Sequence, residues 1–583
     1  MITPTSFDTI AGRLHLPTTT RSHLGVVIVP PHGLEALAAA KTLRLLGERL
    51  AAAGHAALRF DLPGTGDSLG DDAQPDRIKT WTSAVIAAAA HLTAVAGVGG
   101  IAVVGLRFGA LLAHQAAPRI ANLAGLILLD PVSQGALYGR ELAMTARVVA
   151  EGSGLDPDQT ATADGIVGGG LFTSRDTIAA MRPLRLSLTS TTPTLVLHRP
   201  GARDIAALMA EAPSSNNITA EAASGFERIG LSPTVAETPH AVLARTVAFI
   251  DALPRPAAQS VTAAPVARIG DDSMREEALV FGPDHRLFGV LCQPARVSGP
   301  SPVLIMVNAG RNPHTGWARS SVTLARRLAA HGIASLRFDL GGIGEGIDRP
   351  DARDHLDELL YSDAQDAECR AAIDLVCARG LGPVTVLGAC SGAYLALRAA
   401  AQDARVAGAV LVNLQRFIWR AGETVTAAIA NNYPITTHYV GKLADPSAWK
   451  KALTGERKLA PLLKVLLGRA GRRLLPSKAA LSDSERARAM MRELTGRGTR
   501  IDFVFAEDDN GLIELANHFG PRGRDLVGRP SVHFHFLTDC DHDLTPPAAR
   551  ERLFELVVTA MHAGPKTAAD SPADARTDES LVA

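Results

Sequence analysis

Short apolar runs separated by stretches of helical period dominate the chain. The runs GVVIVPPHG (25–33), LAGLILLDPV (123–132), PVLIMVNAG (302–310) and VAGAVLVNLQ (406–415) lack strict alternation. Such runs read as parallel strands buried on both faces. Amphipathic or Ala-rich helical patterns fill the intervals, so the order strand-helix-strand-helix predicts an α/β fold built on doubly wound sheets. The stretch from Ala84 to Leu106 is nearly free of charge, but GVGG at 97–100 interrupts it. It therefore reads as a helix, a turn and a buried strand, not a membrane span.

The pattern also repeats. Leu58-Arg59-Phe60-Asp61-Leu62-Pro63-Gly64-Thr65-Gly66-Asp67 returns as Leu336-Arg337-Phe338-Asp339-Leu340-Gly341-Gly342-Ile343-Gly344-Glu345. Each copy follows an apolar run and a helix ending in LAAAGH or LAAHGI. Each precedes a long helix, another apolar run and a Gly-x-x-x-Gly corner, Gly105-Leu106-Arg107-Phe108-Gly109 or Gly388-Ala389-Cys390-Ser391-Gly392. A period of nearly 280 residues is a domain duplication and not a solenoid. The expected division is a first domain over 1–253 with a cap at about 133–190, and a Pro/Ala-rich linker over 254–274. A second domain over 275–564 with a cap at about 416–498 follows, then a disordered tail over 565–583.

Charge changes this picture little. Lys+Arg and Asp+Glu number 59 each in the 583 residues, which argues against a dedicated nucleic-acid binder. The five cysteines (Cys292, Cys369, Cys377, Cys390, Cys540) form no CxxC pair or zinc-spaced cluster, so neither a metal nor another cofactor is expected. An odd count, with an opening segment that lacks a basic-then-apolar leader pattern, fits a reducing cytoplasm. A homo-oligomer is left open.

A Gly-x-nucleophile-x-Gly corner between strand and helix is a nucleophile elbow, with small residues flanking a strained turn. Both halves resemble the α/β-hydrolase superfamily in this respect. The second half is similar to bacterial serine-aminopeptidase-like hydrolases found beside polysaccharide and acyl-carrier genes. The shared features are Asn-Ala-Gly at 308–310, the LRFDL-G-x-G segment and the Cys-Ser-Gly-Ala elbow. The first half, with GLRFG, resembles companion proteins whose elbow carries Arg. The resemblance implies two tandem α/β-hydrolase domains, each with a helical cap, and the chain order nucleophile, acid, histidine.

In the second half Cys390 holds the nucleophile position. The strand RIDFVFAEDDNG (500–511) ends in Glu507, Asp508 and Asp509, and comparison with the family favours Asp509 as the acid, with Asp508 next. In VHFHFLTDCDHDLTPP, His533 and His535 alternate with apolar residues and read as structural. His542 lies past that strand, before a helix starting near Pro546 or Pro547, and reads as the base. The chemistry expected is proton transfer from Cys390 to His542, with Asp509 fixing the tautomer, and thiolate attack on an acyl carbon. The oxyanion hole would use the backbone of Ser391 and of the Asn308-Ala309-Gly310-Arg311 loop. The insert at 416–498 is basic, with Lys442, Lys450, Lys451, Arg457, Lys458, Lys464, Arg469, Arg472 and Arg473. It reads either as a solvated face or as attraction for an anionic carrier such as CoA or an acyl carrier protein.

The first half has Arg107 at its elbow, and a guanidinium cannot act as a nucleophile. Asp204 and His240 stand where the later members would fall, and His32-Gly33 resembles an oxyanion loop. This half reads as a scaffold, or as an anion site centred on Arg107. The expected function is an acyl hydrolase or acyltransferase acting on an ester or thioester. The alternatives are an inactive tandem pseudo-hydrolase that binds partners and, by subfamily resemblance alone, a peptidase.

Overall fold

The computed structural model describes residues 2–562 except 20–21, 190, 213–216, 297–298, 300, 351–358, 421–422 and 426–481. The apolar runs become the strands of two sheets. The first sheet contains β1 (Ile2–Phe7), β2 (Ile10–His15), β3 (Leu24–Val29), β4 (Ala56–Phe60), β5 (Gly100–Leu106) and β6 (Leu123–Leu129). A separate hairpin of β7 (Gly165–Gly168) and β8 (Leu171–Ser174) precedes its last members, β9 (Thr194–His198) and β10 (Ile218–Ala222). The order is β1-β2-β4-β3-β5-β6-β9-β10, antiparallel as far as β4 and parallel beyond it.

The second sheet repeats that order with one extra edge strand. Its members are β11 (Arg268–Gly270), β12 (Met274–Phe281), β13 (Leu287–Pro294), β14 (Val303–Met306), β15 (Ala334–Asp339), β16 (Val384–Ala389), β17 (Val406–Val412), β18 (Arg500–Ala506) and β19 (Val532–Leu537). They run β11-β12-β13-β15-β14-β16-β17-β18-β19, antiparallel up to β15 and parallel from there.

The helices of the first half are α1 (Leu34–Ala52), α2 (Arg77–Ala96), α3 (Phe108–Ala116), α4 (Gly135–Gly152), α5 (Arg175–Met181), α6 (Arg203–Glu211) and α7 (His240–Asp251). Those described in the second half are α8 (Ser320–Ala330), α9 (Ala364–Ala378), α10 (Ser391–Gln402), α11 (Asp483–Gly496), α12 (Gly511–Phe519) and α13 (Pro547–His562). Each sheet carries one hydrophobic cluster per face, which is why its central strands are apolar without alternation. In the second half α9, α10 and α11 cover one face, and α8 and α13 cover the other. Among the described residues no helix is long and apolar enough to cross a membrane, and Ala84–Leu106 is the end of α2, a turn and β5.

Three local expectations change. The first-half insert is not helical throughout, because β7 and β8 form a hairpin between α4 and α5. Its Gly169-Gly170 turn has φ of +55° and +82°, the left-handed pair that a tight two-residue hairpin loop requires. The 254–274 segment is no free linker: Gln259 N–H donates to Gly97 O, Thr262 N–H to Ala94 O, and 268–270 joins the second sheet as β11. The basic positions from Lys442 to Arg473 and the tail over 565–583 lie outside the described residues.

The two halves meet through the repeated segment itself. Arg59 on β4 reaches across to Glu345, and Arg337 on β15 reaches back to Asp67, with Nη2 3.0 Å from Oδ1. These four residues occupy matching places in the two copies, so the contact has the reciprocity of a two-fold interface. Arg44 donates to Gly344 O (3.0 Å) and Arg319 donates to Gly66 O (2.8 Å), again at matching glycines. His314 lies between the halves, with Nε2 2.8 Å from Asp67 and Nδ1 2.6 Å from Asp339. Every member of the core of this network, including Arg13, is buried.

Candidate active site

The elbow of the second half is the corner between β16 and α10. Cys390 sits there at φ 55° and ψ −119°, a conformation that an L residue holds only when its surroundings force it. The flanking glycines show what does the forcing. A Cβ on Gly388 would lie 2.0 Å from Gly392 O, and one on Gly392 would lie 2.4 Å from Asn308 O. The strand, the helix and the loop after β14 thus meet with no room for side chains, and Cys390 is pushed outward at the helix N-terminus.

His542 and Asp509 come to this corner from the ends of two other strands. His542 Nδ1 is 2.6 Å from Asp509 Oδ2. Asp509 is buried, and its other oxygen accepts from Gln415 Nε2 and from Gly511 N–H, both at 2.7 Å. Asn413 braces the histidine segment: its Nδ2 donates to His542 O at 2.8 Å while its Oδ1 accepts from Ala506 N–H. Burial pulls the His542 pKa down, yet hydrogen bonds and charge attraction from Asp509 and Cys390 outweigh it and hold the ring well above its ordinary value. Asp508 and Glu507 are exposed, and Glu507 faces Arg522. His535 bonds Asp502 at 3.2 Å on β19, away from this group.

The residues expected to form the oxyanion hole lie beside the elbow. Ser391 opens α10, where N–H groups lack intrahelical partners. Its hydroxyl accepts from Gly310 N–H at 3.0 Å, so Ser391 also ties the loop after β14 to the helix. The same loop touches the first half, since Arg311 Nη1 donates to Ala236 O at 3.3 Å. Sequence reading did not bring forward the aromatic group of this site. Tyr361 stacks on Trp419 at 4.1 Å and lies 5.1 Å from Tyr394. Burial raises the Tyr361 pKa well above its ordinary value, and the neighbouring Cys390 adds to that. These residues come from three separated segments, and only their meeting place marks them.

The first-half corner has the same backbone. Arg107 lies at φ 54° and ψ −120°, and a Cβ on Gly109 would come 2.3 Å from Pro30 O. The side chain, however, is fully engaged. Arg107 Nε donates to Glu35 at 2.7 Å, Nη2 meets Glu141, and Nη1 lies 3.5 Å from Asp130. Tyr138 stacks on Phe108 at 4.9 Å and bonds Glu35, and His32 is buried against Trp81 with its pKa pushed down to about 3 by burial and by Arg77. The expected grouping of Arg107 with Asp204 and His240 does not form. Asp204 lies in the first turn of α6, a favourable place for a carboxylate, and His240 Nδ1 accepts from Arg49 at 2.5 Å. Only about 50 Å³ of open space is left beside His32 and Glu35.

Residues 304–558 match the model of a family described as "Alpha/beta hydrolase family". Among solved structures the chain is similar to a hypothetical protein from Pseudomonas aeruginosa, at 16% identity over 50% of this chain and 95% of that one, TM-score 0.32. It is similar to Est1E from Butyrivibrio proteoclasticus, solved with ferulic acid, at 19% identity over 42% and 97%, TM-score 0.31. It is also similar to an esterase from Pyrococcus furiosus, at 13% identity over 50% and 91%, TM-score 0.32. No curated protein matches the chain.

Proposed function

With residues 304–558 belonging to the alpha/beta hydrolase family as the premise, we propose that the second half is an acyl hydrolase or acyltransferase working through Cys390. The observation that carries this reading is the strained Cys390 corner beside the 2.6 Å His542–Asp509 pair. In the first step His542 Nε2 takes the Cys390 thiol proton and the sulfur attacks the acyl carbonyl carbon. The tetrahedral oxyanion is stabilised by backbone N–H groups of Ser391 and of the Ala309–Arg311 loop. Collapse expels the alcohol or thiol, which leaves with the proton from His542, and a thioester on Cys390 remains. Water or another acceptor then gives its proton to His542 and attacks the thioester, releasing the product and the Cys390 thiol.

An ester and a thioester on CoA or a carrier protein both present such a carbonyl. The first half, over about 1–253, serves as a structural domain in this reading. The three carboxylates around Arg107 leave it no unmatched charge for an anion, which favours scaffold over ligand site. The test is incubation with p-nitrophenyl esters and with a fluorophosphonate or iodoacetamide probe, followed by peptide mapping. Turnover, and labelling of the peptide that carries residues 388–392, should vanish in Cys390→Ala. Labelling of that peptide should persist in Ser391→Ala, whatever label Cys377 and Cys540 carry. The opposite result would assign the hydroxyl and sink the thiol mechanism.

A further inference from the structure

Between α8 and α13 lies a cavity of about 310 Å³. Packed interiors rarely hold voids larger than a water molecule, so a space of this size is no packing flaw. Its lining includes Ala389, which directly precedes Cys390, His542, which interacts with the Cys390 thiol, and the Asn308–Ala309 segment. Its walls are mostly apolar, with Met306, Leu324, Leu387, Val412, Leu553 and Phe554. Its outer end is bridged by Arg327, which lies 3.7 Å over the Phe554 ring and meets both Glu551 oxygens at 2.7 Å. That pairing matches the Arg327 charge with a carboxylate at the cavity wall. Trp317 forms a further part of the lining, and the first half backs it. A Cβ on Gly169 would lie 3.0 Å from Trp317 Cζ2, and Gly170 O accepts from Arg550, another lining residue.

We propose that this cavity holds the acyl group of the substrate, and that the group is an aliphatic chain of medium length. The proposal rests on the acyl-transfer reading above. A chain whose carbonyl sits at Cys390 and whose tail passes His542 would enter an apolar channel, and each methylene buried there adds to binding in proportion to the apolar area it hides. At roughly 30 Å³ for each water-sized group, the space takes about ten heavy atoms, an acyl group of about eight carbons.

The experiment combines turnover with binding. For the wild type, kcat/KM on p-nitrophenyl esters from acetyl to dodecanoyl should peak near octanoyl, at least tenfold above acetyl. In Leu324→Trp, and independently in Leu553→Phe, the octanoyl-to-acetyl ratio should fall at least tenfold, circular dichroism serving to verify that each variant folds. Octanoate should bind Cys390→Ala in isothermal titration, and adding Leu324→Trp or Leu553→Phe should weaken it. Turnover with a flat chain-length profile, unmoved by both substitutions, would overturn the pocket and leave the acyl-transfer reading standing. Octanoate binding that both substitutions weaken, with no turnover of any ester, would overturn the acyl-transfer reading and with it the pocket's acyl role.

Discussion

At the scale of single residues, the site depends on how each charge is answered. Asp509 accepts from His542, Gln415 and Gly511, so three of its roughly four acceptor sites are used and its ring partner is fixed in one orientation. Asp509→Asn is expected to lower kcat by roughly 10²–10⁴-fold, as loss of the orienting acid does in triads of this kind, with KM little changed. Steady-state kinetics on an octanoyl ester would measure it. Arg107 is answered just as completely, by Glu35, Glu141 and Asp130. Arg107→Met leaves buried Glu35 without its cation, while Asp130 keeps Arg199 and Glu141 faces solvent. It should cost on the order of 3 kcal/mol of stability, read from urea unfolding, while the thiol probe still labels Cys390. Chain order made Cys390, Asp509 and His542 legible as candidates in the sequence, because family members of this type keep a fixed sequence of roles. The partners of Arg107 were not legible. Glu35, Asp130 and Glu141 lie on α1, after β6 and on α4, and only folding brings them to one guanidinium.

At the scale of elements, the repeat made the duplication and the strand-helix alternation of both halves readable, since two copies of one pattern must solve the same packing problem. The order of strands within each sheet was not legible there. The elbows were readable for a local reason: Gly388 and Gly392, like Gly105 and Gly109, stand where backbone meets backbone. The β7–β8 hairpin was missed although a Gly-Gly pair between apolar residues signals one. Four-residue strands carry too little alternation to stand out from the helices on either side. That hairpin has consequences beyond its own half, because its turn rests on Trp317 and Arg550 of the other. Gly169→Ala would place a Cβ at a φ of +55° and 3.0 Å from the Trp317 ring. The expected cost is about 1–2 kcal/mol from the left-handed backbone, with a lowered octanoyl-to-acetyl ratio as Trp317 shifts. Urea unfolding and ester kinetics on the one variant would separate the two effects.

At the scale of the molecule, the segment that revealed the duplication also joins its products. Arg59 with Glu345 and Arg337 with Asp67 form a reciprocal pair of buried contacts, and His314 adds a cation between Asp67 and Asp339. Burial disfavours the charged ring, but the two aspartates outweigh it and push the His314 pKa up to about 10. Its contribution to stability is therefore complete below the unfolded value near 6.5 and is lost as pH rises through about 10. Glu345 behaves in the opposite sense. Burial raises its pKa, Arg59 and Arg13 outweigh that, and the result is about 2, so its contribution is present above about 4.5 and is lost as pH falls toward 2. The contribution of these two groups to the thermal midpoint should form a plateau between about pH 4.5 and 6.5 and decline on both sides. His314→Gln should flatten the alkaline decline specifically. Asp67→Ala leaves Arg13, Arg337 and His314 facing one another without their shared carboxylate, and breaking a buried pair in this way costs about 3–5 kcal/mol. Because the affected charges belong to both halves, the two should lose stability together in Asp67→Ala, as one shifted transition by calorimetry. A second transition left unmoved would mean that the halves unfold independently and that the network only holds them side by side.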